Sequence, residues 1–248
     1  MNALSRENRR QITEAIANIL ARVRPENVQE ALQSFILPLA QRLHEVSEIQ
    51  PTDSEHVVGI VKEASDIIDQ LSIYFKIVQP DVASTGPHPV VTIISSLWPL
   101  FNTLLDKYPD TPLSDALARL FKYCIKSYRF HFYPLLPALM TKTLNLFETT
   151  KNPCYIWITK QCIQEFGDDE SEQGKKVFEL FEGITRNVFI LVHSKKTDDL
   201  VESKELVFLA SLYFRYIYIH SSDINLFFSL IFFQLKFWKT IFIWPVLH

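Results

Sequence analysis

Four basic side chains, Arg119, Lys122, Lys126 and Arg129, follow one another at intervals of three, four and three residues. At 3.6 residues per turn that spacing lines them along one stripe of a helix. None has an acidic residue four positions further on, so the like charges repel one another slightly within the helix. Two arrangements relieve the repulsion: an external anion, or acidic side chains on a neighbouring helix. The chemistry on offer is electrostatic recognition.

Covalent and metal chemistry find no comparable pattern. The seven histidines, at 44, 56, 88, 131, 193, 220 and 248, are scattered, and no pair has ligand spacing on a helix face. Cys124, Cys154 and Cys162 lack CxxC spacing and read as buried free thiols of a reducing compartment. Gly167 and Gly174-Lys175 are too far apart for a phosphate loop, His44-Glu45 lacks a second histidine, and no serine sits in a GxSxG turn. A non-enzymatic protein with no cofactor and no bound metal is expected. The acidic run from Asp168 to Glu172 reads as a solvated loop.

The elements that position the stripe follow from periodicity. The chain has 248 residues, 48% of them hydrophobic, a net charge of -3, only 5 glycines and 19 phenylalanines. So few glycines argue against dinucleotide folds, barrels and sandwiches, and the near-neutral charge gives no reason to expect direct nucleic-acid binding. The polar start, MNALSRENRR, is not a secretory signal. Apolar residues at i, i+3, i+4 spacing predict helices over Ser5 to Val23, Glu26 to Val46, a third opening after Pro51, Pro89 to Lys107, Leu113 to Arg129, Phe132 to Glu148, Pro153 to Phe166 and Gly174 to His193. In the first, Ile12, Ile16, Ile19, Leu20 and Val23 form the expected core face. Asp53 or Ser54 is the expected N-cap of the third, and Pro99 is expected to kink the fourth. Paired in order, the eight make four hairpins of about 40 residues, the period of HEAT-like repeats. The predicted fold is all-α, a right-handed solenoid of stacked hairpins, with a compact helical bundle satisfying the same pattern.

The run His88-Pro89 through Ile94-Ser-Ser-Leu-Trp-Pro-Leu-Phe and Leu105-Asp-Lys-Tyr resembles the importin-beta (karyopherin) superfamily, in its transportin-SR branch. Leu135-Leu-Pro-Ala-Leu-Met-Thr-Lys-Thr-Leu-Asn-Leu-Phe, Cys154-Tyr-Ile-Trp-Ile, Glu165-Phe-Gly and the earlier Ile12-Thr-Glu-Ala-Ile-Ala-Asn-Ile-Leu are similar to the same family, collinearly from residue 4 to Glu202. The resemblance implies a nuclear import receptor working between cytoplasm and nucleus, with nuclear pore proteins, the GTPase Ran and phosphorylated Arg/Ser-rich RNA-binding cargo proteins as partners. It also implies a cargo-binding helix whose arginine positions correspond to Ala116, Arg119, Lys122 and Lys126, with Arg129 extending the stripe. Lysine keeps the charge of arginine but loses its bidentate grip on phosphate. The chain reads as a central slice of such a receptor, without the arches that bind Ran and complete the cargo site.

Beyond Glu202 the amphipathic pattern stops. Residues 203–248 hold 8 of the phenylalanines and carry +2, against -5 for residues 1–202. The expected division is a repeat segment over 1–202 and an apolar tail over 203–248. Two readings of that tail stand: Ile224 to Trp244 as a membrane span, its apolar gain offset by Lys236 and Lys239, or translated intron, since Ser203-Lys204 is encodable by a splice-donor-like sequence. The first would make the protein a membrane-anchored scaffold, and a soluble scaffold without transport activity is the remaining alternative.

Overall fold

A computed structural model of the chain describes residues 5–81, 87–167 and scattered positions between 171 and 187. Contacts divide the chain into two units, and the helices below all lie in the first, Met1–Leu180. Of the helix expected over 174–193, the described positions, 174–177, 179, 180, 182–184 and 187, are helical and the rest fall outside the described residues, as does the whole tail over 203–248.

Among the described residues seven α-helices have defined bounds, in order: α1 (Arg6–Leu20), α2 (Pro25–Glu48), α3 (Ser54–Ile77), α4 (Pro89–Lys107), α5 (Pro112–Tyr128), α6 (Leu136–Thr150) and α7 (Cys154–Phe166), with a 3-10 turn over Arg129–Phe132 between α5 and α6. Local chemistry explains their starts. Ser5 accepts the amide hydrogen of Asn8 at 3.1 Å and Asp53 that of His56 at 2.8 Å, so Asp53 is the cap of α3. Pro25, Pro89 and Pro112 occupy first-turn positions, where the missing N–H costs nothing. Both α2 and α4 continue through internal prolines, Pro38 and Pro99.

The odd-numbered helices stack side by side in the order α1, α3, α5, α7, and α2 packs on α4 in a second layer. This is an all-α solenoid arrangement. Among sequence neighbours, α2 with α3, α6 with α7 and α4 with α5 make broader contacts than α1 with α2, while α3 with α4 and α5 with α6 are at most marginal. The helical hairpins are therefore α2–α3, α4–α5 and α6–α7, one helix out of step with the pairing expected from the sequence. The long connection over residues 78–88 separates α3 from α4, but length alone does not set the pairing, since only four residues join α1 to α2.

Burial follows the stacking. Flanked on both sides, α3 buries Ile60, Val61, Ala64, Ile67, Ile68, Leu71, Tyr74 and Phe75. Flanked by α3 and α7, α5 buries Leu117, Leu120, Phe121, Cys124, Ile125 and Tyr128, as the sequence predicts. In α1 the buried residues are Thr13, Ala17 and Leu20. Of its expected core face only Leu20 is buried; Ile12 and Ile19 are 47% and 68% exposed.

The seam between α3 and α5 is closed by a polar joint. The buried Tyr128 hydroxyl lies 2.6 Å from the carbonyl oxygen of Phe75 and 3.0 Å from that of Val78, serving the otherwise unpaired C-terminal carbonyls of α3. His88, 5% exposed, places its ring 4.9 Å from Tyr128 and 4.8 Å from His131. Burial, with the nearby His131 adding to it, depresses the His88 imidazole to about 4. Because its folded value lies below the ordinary 6.5, this histidine supports the fold fully above pH 6.5 and progressively less as pH falls through about 4. Replacing Tyr128 by phenylalanine removes the one hydroxyl proton that these two buried carbonyls share, and chemical denaturation should show a loss of about 1–3 kcal/mol. Unfolding of the parent between pH 7 and 4 should show a decline in stability over that window, which His88→Gln flattens.

Candidate functional site

The stripe on α5 is presented by the seam beneath it. With Leu117, Leu120, Phe121 and Cys124 fixed in the core, the helix turns Arg119 and Lys126 to solvent and Lys122 to a half-exposed position. Ala116 is 2% exposed, so the N-terminal end of the stripe is closed by core packing. Arg129 is not on the helix. It follows the last turn at φ 44°, a left-handed conformation strained for a non-glycine residue, and leads into the 3-10 turn. There its Nε lies 3.2 Å from a carboxylate oxygen of Glu165 on α7.

The structure brings α5 against neighbours that the stripe alone does not reveal. Asp66 and Asp69, one turn apart on α3, face α1 and α5. Arg6 contacts Asp66 at 2.8 Å and Asp69 at 2.6 Å, Arg9 contacts Asp66 at 3.3 Å, and Arg119 contacts Asp69 at 3.6 Å. These residues border a groove of about 580 Å³ between α1, α3 and α5, with Tyr123 also in its lining. The Lys76 ammonium sits 5.3 Å from the centre of the Tyr123 ring, within cation–π range.

The two alternatives left by the sequence thus divide along the stripe. Arg119 and Arg129 are balanced by Asp69 and Glu165 from neighbouring helices. Lys122 and Lys126 have no ion-pair or hydrogen-bond partner among the described residues. Lys160 of α7 lies near Lys122: its ammonium is held below the ordinary lysine value, first by partial burial and then by the positive charge of Lys122. Sequence reasoning missed Lys160, because its approach to Lys122 depends on how α7 packs on α5. It also missed the Arg6/Arg9 and Asp66/Asp69 pairs, whose matching three-residue spacings were a usable signal.

No group of three or more histidine, cysteine, aspartate or glutamate side chains among the described residues is placed to hold a metal ion. The cysteines are free and buried. Desolvation raises all three thiols, Cys162 to about 12, which removes the thiolate that nucleophilic chemistry requires. None of the described helices is long and apolar enough to cross a membrane.

Stacked helical hairpins presenting a charged face define the class: an α-solenoid of the HEAT/armadillo type. The family described as the Transportin-3/Importin-13 fourth TPR domain matches residues 88–192, a region that includes α4 to α7. Importin-13 of Gallus gallus is 23% identical over 195 residues, covering 72% of this chain and 20% of that protein. The uncharacterized protein C11G11.07 of Schizosaccharomyces pombe is 24% identical over 164 residues, or 66% of this chain and 17% of that protein. The mRNA transport regulator MTR10 of Saccharomyces cerevisiae is 26% identical over 154 residues, or 58% of this chain and 16% of that protein. A solved structure of importin-13 in its cytosolic state has the same fold, with a TM-score of 0.71 and 16% identity over 88% of this chain and 24% of that one. The chain is similar to importin-13 over part of its length, and spans about a fifth of the length of these curated relatives.

The ion pairs around α3 differ in burial, and their energetic weights should differ accordingly. Asp69 pairs with arginines that are 63% and 48% exposed, so Asp69→Asn should cost no more than about 1 kcal/mol. Asp66, with a side chain 15% exposed, should cost about 1–3 kcal/mol on the same change. Denaturant midpoints of the two variants measure the difference.

Proposed function

We propose that this chain is part of a nucleocytoplasmic transport receptor of the transportin-SR type, and that the lysine face of α5 receives the phosphorylated segment of Arg/Ser-rich RNA-binding cargo. The observation that carries the reading is the presence of Lys122 and Lys126 on the exposed side of α5 without an anionic partner among the described residues, while their arginine neighbours are already paired. Clustered cations left uncompensated by the fold favour an external polyanion. Phosphoserine, with a charge near -2 and three acceptor oxygens, answers that field better than a carboxylate. Similarity to importin-13 supports the transport role, with Ran and nuclear pore proteins as partners of the whole receptor and shuttling between cytoplasm and nucleus as its location.

Within this reading the repeat segment over 1–202 does the binding, and Arg119 and Arg129 hold α5 in place against α3 and α7 more than they contact cargo. Lysine binds phosphate as a point charge, so affinity should be strongly salt-dependent. Fluorescence anisotropy with a phosphorylated Arg-Ser peptide and its unphosphorylated form tests the proposal. The phosphorylated form should bind more tightly, and Lys122→Glu with Lys126→Glu should weaken it by at least about tenfold, or about 1.4 kcal/mol. Unchanged affinity in that double variant, with its helical content intact, would remove α5 from the cargo site.

A further inference from the structure

One large apolar side chain beside the lysine face has no part in the core. Tyr155, Ile158, Cys162 and Phe166 of α7 are buried, whereas Trp157 is 37% exposed. Among the described residues no other large apolar side chain of α5 or α7 is exposed. Trp157 precedes Lys160 by three residues, which at about 100° per residue puts the two on one side of α7, about a turn apart.

Three contacts fix how that side of α7 meets α5. The Cys154 thiol is hydrogen-bonded to Asp115, Lys160 lies near Lys122, and Arg129, just past the end of α5, pairs with Glu165. The two helices therefore run in the same direction past each other. Trp157, midway between Cys154 and Lys160, is level with the turn of α5 between Asp115 and Lys122. That turn carries Arg119, which is drawn to the opposite flank by Asp69 of α3. The indole thus borders the lysine face at its N-terminal end.

The carboxylates that meet the stripe are engaged: Asp115 with Cys154, Asp69 with Arg6 and Arg119, and Glu165 with Arg129 and Gln161. A ligand that alternates anions with cations finds Lys122 and Lys126 for its anions, but none of these three carboxylates is uncommitted. An exposed indole receives a guanidinium without a carboxylate, because the ring quadrupole attracts the charge and the planar group stacks on its face.

We propose that Trp157 is a specificity-determining residue of this face, its indole stacking on an arginine guanidinium of the segment whose phosphates Lys122 and Lys126 hold. The inference rests on the cargo reading above and deepens it: the lysines select phosphorylation, and the tryptophan selects arginine.

The parent chain, Trp157→Leu and Trp157→Tyr are titrated by fluorescence anisotropy against a phosphorylated Arg-Ser repeat peptide. A second phosphopeptide carries citrulline, a neutral isostere, in place of each arginine. Trp157→Leu should weaken binding of the arginine peptide about fivefold and change the citrulline peptide by less than about twofold, and Trp157→Tyr should recover most of the loss. Lys122→Glu with Lys126→Glu should weaken both peptides, which separates the two roles. An equal loss for both peptides, or no loss for either, overturns the role of Trp157; a lysine double variant that still loses affinity then leaves the cargo reading standing without it. A parent chain with no preference for phosphorylated peptide removes both. A single-stranded RNA oligomer that binds more tightly than the phosphopeptide and depends on Trp157 also overturns the proposal, because base stacking then accounts for the exposed ring.

Discussion

The contact between α3 and α5 governs the rest of this molecule. Ile68, Leu71 and Phe75 on one side and Leu120, Phe121 and Cys124 on the other are fully buried, and each large apolar side chain removed from water contributes about 1.5–3 kcal/mol. Phe121 is also the centre of an aromatic cluster, with ring centroids 5.7 Å from Trp98 and 5.8 Å from Phe101, which ties α4 to the same seam. Because the seam allows α5 one rotational setting, it alone decides which side chains of that helix reach solvent. The basic stripe is a consequence of the packing behind it.

Charge is distributed over this frame in two ways. Arginines from α1 and α5 converge on two aspartates of α3, and the pairs span 57 and 63 residues of chain for Arg9–Asp66 and Arg6–Asp69. The more exposed pairs on Asp69 add little net stability, those on the more buried Asp66 add more, and both set the lateral register of neighbouring helices. Lysines have the other role. With compact, well-hydrated heads on flexible stems, Lys122 and Lys126 remain on the open side of α5, with Lys160 of α7 near Lys122. The same helix thus carries a cation used by the fold at Arg119 and cations left available at the next two positions.

What was legible in the residues was local. Periodicity placed the helices within a few residues of their ends, and Pro89, Pro153 and the Asp53 cap marked boundaries that the structure keeps. The buried face of α5 was readable because six apolar residues leave no other side to bury. α1 misled for the same reason: its isoleucine stripe is a packing surface by composition, yet packing requires a partner, and none of the described helices lies there. Arg129 misled differently, since the spacing continues the stripe while the backbone leaves the helix at a positive φ.

Sequence alone therefore determined an all-α chain of amphipathic helices and the one helix with a basic side, because helix periodicity and capping act over three or four residues. Tertiary structure decided which helices form hairpins, which face of α1 is covered, that Arg119 and Arg129 are neutralised while Lys122 and Lys126 are not, and that Lys160 lies near Lys122. Those outcomes depend on groups dozens of residues apart meeting across a packed seam. Nothing in the spacing of a single helix encodes the charge of its neighbour.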